Sequence, residues 1–121
     1  MYGIVLRESF SAAHFLRGYK GKCERVHGHN YLVEVQIVGE KLDDIGILWD
    51  FNEGKRILRG ILEGLDHSLL NKDSPLSPLN PTAENIARFI FEKMKENIPS
   101  HLKLKRVTVW ETGTSAGYYE E

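Results

Sequence analysis

Alternation of apolar and polar positions is the clearest signal in the chain. Tyr2-Gly3-Ile4-Val5-Leu6 is a β-rich run that continues through Phe10 and Ala12, predicting a strand with His14 at its far end. Between Asn30 and Gly39, Tyr31, Val33, Val35 and Ile37 fall on one face and Glu34 and Gln36 on the other, the pattern of a half-buried antiparallel strand. Leu104 to Glu111 alternates in the same way, and a short strand is expected around Tyr118-Tyr119.

Two stretches change period. Phe51, Leu58, Ile61, Leu62 and Leu65 recur at helical spacing behind Asp50, an N-cap, with Glu53 placed to complete a capping box. Ala83, Ile86, Ala87, Ile90 and Met94 form a second stripe behind Thr82, also an N-cap, in a helix running to about Asn97 and stopped by Pro99. Residues 15–25 read as an exposed loop, 40–49 as a connection, and the segment with Pro75, Pro78 and Pro81 as a second loop. The order strand, strand, helix, helix, strand, strand predicts an α+β domain (ββααββ), with both helices covering one face of a four-stranded antiparallel sheet.

A length of 121 residues predicts one domain over 1–121, and a hydrophobic share of 41% is enough for one core. Sixteen basic residues against seventeen acidic ones give a net charge of −1, which argues against a nucleic-acid surface. One cysteine excludes an internal disulfide and fits a reducing compartment. Neither a signal peptide nor a bilayer-spanning run is recognised, so a cytoplasmic protein without membrane attachment is expected.

Candidate chemistry concentrates in Cys23-Glu24-Arg25-Val26-His27-Gly28-His29. In an extended segment His27 and His29 point the same way, and His14 offers a third imidazole. Three neutral imidazoles with one open position are the ligand set of a catalytic zinc. Cys23 sets a soft, ionisable group beside it. Two other readings stand: ordinary histidines in a polar loop, or a closed structural site with Cys23 as fourth ligand. The Asp66-His67 pair can be a helix C-cap or a device for moving a proton to and from a thiol. Glu111 shares a face with Val107 and Val109, where a carboxylate is costly unless something binds it. Its two oxygens could accept parallel N–H bonds from a 2-amino-4-oxopyrimidine edge, although an exposed strand end explains it as well.

Taken in order, Phe10-Ser11-Ala12-Ala13-His14, Cys23-x-x-x-His27-Gly28-His29-Asn30-Tyr31, Asp50-Phe51, Leu65-Asp66-His67, Asn80-Pro81-Thr82-Ala83-Glu84-Asn85 and Val109-Trp110-Glu111-Thr112 resemble the 6-pyruvoyl-tetrahydropterin synthase family. The likeness covers essentially the whole chain. The three-residue gap between Cys23 and His27 is closest to the 6-carboxytetrahydropterin synthase branch.

The resemblance implies the tunnelling fold, in which sheets of several subunits join into a barrel, typically in a homohexamer with active sites between subunits. It implies zinc on His14, His27 and His29, Cys23 as catalytic thiol, and Asp66 and His67 as proton relay. Glu111 would anchor the pterin, with Thr82 and Thr112 near the ring. The implied reaction converts 7,8-dihydroneopterin triphosphate to 6-carboxy-5,6,7,8-tetrahydropterin, releasing acetaldehyde and triphosphate, on the way to the 7-deazaguanine of queuosine or archaeosine. Arg7, Lys20, Lys22 and Arg25 are candidates for holding the triphosphate. Other branches imply a 6-pyruvoyl product or, where a glutamate replaces the loop cysteine, a 6-hydroxymethyl product for folate synthesis; here Glu24 adjoins Cys23. A zinc-stabilised pterin-binding module without catalysis is the non-enzymatic alternative.

Overall fold

The computed structural model describes residues 1–121 apart from the Cys23 side chain, so the predicted thiol lies outside the described residues. Four strands, β1 (Tyr2–His14), β2 (His27–Gly39), β3 (Lys103–Trp110) and β4 (Ala116–Glu120), form one antiparallel sheet in the order β1-β2-β3-β4. Two helices, α1 (Phe51–Glu63) and α2 (Ala83–Lys95), separate β2 from β3 and cover one face. Among the described residues no helix is long and apolar enough to cross a membrane.

The alternation in β1 and β2 sends Leu6, Phe10, Tyr31, Val33, Val35 and Ile37 to the covered face, where each is buried. Val107 and Val109 of β3 join them, and the helices close the core with Leu58, Leu62, Ile86, Ile90, Phe91 and Met94. Helix α1 sits tightly on the sheet at Gly54, where a Cβ would collide with the Leu6 side chain. The N-terminus of α2 sits equally close to β4: a Cβ on Gly117 would stand 2.9 Å from the Glu84 backbone nitrogen. That close approach excludes any side chain there.

Three local expectations are revised. β2 starts at His27 rather than Asn30, because the His-Gly-His segment pairs with the end of β1, His14 opposite His27 and Ala12 opposite His29. The Asp50 side chain does cap α1, accepting from the Asn52 N–H, but Glu53 turns outward to Arg56 at 2.6 Å instead of reaching back. An arginine one turn along offers a charged partner, and it outcompetes a backbone N–H. Phe51, assigned to the core stripe, is 57% exposed, because the first turn of α1 overhangs the sheet edge beside Tyr2 and Ile47.

Past α1 the chain runs alongside the outer edge of β1. His67 N–H donates to Ser11 O (2.6 Å), Ala13 N–H to Ser68 O (2.9 Å) and Leu70 N–H to Ala13 O (2.9 Å). This short parallel contact covers the part of an exposed edge nearest His14.

Candidate active site

At the end of the sheet nearest His14, the covered face changes from hydrocarbon to polar. His27 and His29 continue the inward parity of Tyr31 and Val33, and His14 continues that of Phe10 and Ala12. The three rings meet edge to face, with centroids 4.5, 4.9 and 5.1 Å apart. One ligand nitrogen from each lies within 4.8 Å of the others.

Backbone carbonyls set two of the tautomers. His14 Nδ1 lies 2.8 Å from Pro81 O and His27 Nδ1 lies 2.7 Å from Arg25 O. A carbonyl accepts only, so both Nδ1 atoms carry the proton and both Nε2 atoms keep a free lone pair. His14 Nε2 and His29 Nε2 are buried and have no hydrogen-bond partner. Burial also holds both rings below the usual histidine pKa, against the opposing pull of Glu111, so they stay neutral. Neutral, unpartnered, converging lone pairs fit a metal ion, which this group could hold.

Glu111 follows the last residue of β3, its N–H tied to Ser115 O at 3.1 Å. Its Oε1 stands 3.7 Å from His14 Nε2, and its side chain is 27% exposed. On its other side it lines a pocket of about 260 Å³ with Thr82, Ala83, Ser115 and Gly117. Thr82 lines the same pocket, and its hydroxyl accepts from the Asn85 N–H as the cap of α2. Thr112 does not line that pocket. It borders a separate cleft with Arg7, Asn30, Leu32 and Trp110, whose side chains belong to the uncovered face of the sheet.

Asp66 and His67 form a hydrogen-bonded pair, Nδ1 to Oδ2 at 2.9 Å, three and four residues beyond the end of α1 rather than as its cap. Asp66 Oδ1 accepts the Ser11 N–H at 2.9 Å, and that bond is the chief reason its carboxyl is held below the ordinary aspartate range. His67 adopts φ 55°, a left-handed conformation that costs a non-glycine residue and is held here by its bonds to β1. Its exposed ring lines a cleft of about 540 Å³ with Ser11, Ala13, Gly28, His29 and Asn30. Ser11, Ala13, Gly28 and Asn30 belong to the uncovered face, whereas the three imidazoles project from the covered one. Within one chain the pair and the triad are therefore neighbours in β1–β2 and meet only through His29, the one triad residue that lines this cleft. Among the triphosphate candidates, Arg7 is occupied by Glu34 at 2.9 Å, and Lys20, Lys22 and Arg25 are exposed.

Sequence reasoning passed over three features. The carbonyls of Pro81 and Arg25 carry no residue-type signal. Asn71 and Asn80 act as side-chain ladders: Asn71 accepts from Phe15 N–H and donates to Phe15 O, and Asn80 does the same with Arg17. These fix the exit of the chain from His14. Tyr31 looked like one more core position, and only its hydroxyl on an otherwise aliphatic face marked it out.

Across its length, residues 3–121 match the family described as 6-pyruvoyl tetrahydropterin synthase. The chain belongs to that family. It is 40% identical to a dihydroneopterin monophosphate aldolase of Pyrococcus furiosus, over 89% of this chain and 88% of that one. With the 6-carboxy-5,6,7,8-tetrahydropterin synthase of Bacillus subtilis it shares 38% identity, over 90% and 78%. The structure of Caenorhabditis elegans 6-pyruvoyl tetrahydropterin synthase superposes with a TM-score of 0.88 at 32% identity, covering 99% of this chain and 95% of that one. The four-stranded sheet with two helices is thus the tunnelling fold of this family.

Proposed function

We propose that the protein is a zinc-dependent lyase that converts 7,8-dihydroneopterin triphosphate to 6-carboxy-5,6,7,8-tetrahydropterin, with release of acetaldehyde and triphosphate. The observation that carries this reading is the convergence of two orphaned Nε2 atoms, the Glu111 carboxylate 3.7 Å from one of them, and the pocket that Glu111 opens onto. A pterin ring seated there would present its N–H edge to Glu111 and its side chain to the histidines. The similarity to carboxytetrahydropterin synthases supports the product.

His14, His27 and His29 would hold zinc, which when bound supplies a Lewis acid that lowers the pKa of the substrate's side-chain hydroxyls. The Glu111 carboxylate would accept two N–H bonds from the ring and fix its orientation. Cys23 as thiolate would remove and return protons at the side-chain carbons, and neighbouring positive charge would favour that thiolate. Asp66 would hold the His67 ring so that it passes those protons on. The domain spans 1–121 and assembles as a cytoplasmic homohexamer. The relay pair reaches the thiol of an adjacent subunit. The product would feed synthesis of 7-deazaguanine.

Incubation with dihydroneopterin triphosphate and mass spectrometry of the product tests this directly: 6-carboxytetrahydropterin is expected, and an untouched substrate overturns it. Cys23→Ala should keep its zinc and its melting curve while losing turnover. Loss of both metal and fold would make Cys23 a structural ligand instead.

One observation favours a second reading. Glu24 adjoins Cys23, and a relative at 40% identity is a dihydroneopterin monophosphate aldolase. An aldolase reading would have the protein split the side chain of the monophosphate to 6-hydroxymethyl-dihydropterin. Offering both phosphates in one mixture separates the readings by which is consumed.

A further inference from the structure

Three buried side-chain polar atoms lack a hydrogen-bond partner among the described residues: His14 Nε2, His29 Nε2 and the Tyr31 hydroxyl. All three belong to one cluster. Tyr31 is completely buried, its ring stacked on Phe10 at 4.8 Å and set edge to face against His29 at 5.3 Å and His14 at 5.8 Å. The two nitrogens are accounted for by a metal ion. The hydroxyl is not, and a buried tyrosine normally finds a partner because an unpaired hydroxyl is costly.

The strand register indicates what that partner is. Leu32 pairs with Trp110 and Val33 with Val109, so one more step of the antiparallel register sets Tyr31 opposite Glu111. Both project from the covered face. Glu111 carries the charge that acts on Tyr31, His14 and His29 alike. Each of its oxygens accepts and cannot donate, and the hydroxyl is a donor with nowhere else to go.

We propose that Tyr31 is a positioning residue whose hydroxyl donates a hydrogen bond to the Glu111 carboxylate when metal and pterin occupy the site. The inference rests on the pterin-binding reading above. The carboxylate sits at the end of a strand, partly open to solvent and 3.7 Å from His14 Nε2. Without a second restraint it can swing between the histidines and the pterin pocket. A hydrogen bond from a ring clamped between Phe10 and two imidazoles holds it toward the pterin edge.

The test is the affinity of metal-loaded protein for neopterin, which has the ring and side chain but no phosphate, followed by its fluorescence. Tyr31→Phe keeps the ring and its stacking. We expect it to weaken neopterin binding about tenfold, as loss of one charge-assisted bond would, with zinc content unchanged. Glu111→Ala removes the acceptor and should weaken binding more, and Tyr31→Phe made on top of Glu111→Ala should add nothing, since its effect passes through the carboxylate. A tyrosine that merely fills space would leave affinity unchanged, which overturns the inference while the Glu111 effect keeps the pterin reading. Additive losses also overturn it, because the hydroxyl then acts on another group. If wild-type protein fails to bind neopterin, the pterin reading falls and this inference with it.

Discussion

The covered face of the sheet has two halves built on the same strands and the same register, and they do opposite things with burial. Toward the start of β1, Leu6, Val33, Val35, Ile37, Val107 and Val109 meet the apolar sides of α1 and α2, and among the described residues no buried side-chain polar atom there lacks a partner. Toward its end, past Phe10 and Tyr31, the same alternation delivers His14, His27 and His29, with three polar atoms left unpaired. The first half lowers the free energy of the folded chain by removing apolar surface from water. The second raises it in the absence of a ligand, because each orphaned polar atom has surrendered its water without compensation. Stability and binding are thus separated along one strand pair, and substitutions in the two halves should have distinct signatures.

The largest effect on folding is expected from the dry half. Phe91 is 1% exposed and packs against Tyr119 at 4.9 Å. Phe91→Ala should lower unfolding free energy by about 3–5 kcal/mol, measured by denaturant titration, while the folded fraction keeps its full metal content. Loss of metal from folded Phe91→Ala protein would show that the halves are mechanically coupled. His29→Ala should do the reverse. It removes a buried nitrogen that has no partner, so the metal-free protein should change in stability by less than about 1.5 kcal/mol. Metal affinity should fall more than about a hundredfold, beyond what loss of an outer partner costs. A chelator competition series reads the second quantity and a melting curve the first.

A smaller effect sharpens the contrast through pH. Burial depresses the pKa of His14 and His29 below the ordinary 6.5, so between that value and the folded-state values the unfolded chain binds more protons than the folded one. Stability of the metal-free protein should therefore be level above about pH 7 and decline as pH falls through 6.5. Asp66, lowered mainly by the Ser11 N–H, acts in the same direction at lower pH: its contribution is present above 3.8 and is lost as pH falls further. Metal-saturated protein should resist the first decline, because protons then compete with the ion for the lone pairs. Equal slopes with and without metal across pH 5–7 would mean that the histidines do not form the site.

The dry half was legible in the sequence almost residue by residue, because period alone decides which face a strand or helix residue takes. Phe51 is the exception, and it failed where the helix overhangs the edge and periodicity has nothing to pack against. The polar half was legible as a list of residues but not as an arrangement. His-x-His spacing gives a shared direction, and only the pairing of His14 with His27 makes it a triad. The carbonyls that set the tautomers come from Pro81 and Arg25, one distant in sequence and neither marked by its side chain. The Asp66-His67 pair shows the same limit. Adjacency suggested a helix cap, but the pair is placed by a backbone contact with Ser11 that no local pattern announces.

Thr82 stands on the border between the halves and should give the smallest effect. Its hydroxyl accepts the Asn85 N–H at 3.1 Å, capping α2, and the same residue lines the pocket beside Glu111. Capping satisfies one of the free N–H groups at the start of a helix, and replacing such a threonine with alanine costs about 1 kcal/mol. Thr82→Ala should therefore lower stability by about that amount. Thr82→Ser keeps the oxygen and should restore most of it. If Thr82 also contacts the pterin through its hydroxyl, neopterin affinity should follow the same order, falling a few-fold in Thr82→Ala and recovering in Thr82→Ser. Should stability follow the oxygen while affinity stays level in both variants, Thr82 is a cap alone. Recognition in the pocket then rests on Glu111, and the border between the two halves runs between these two residues.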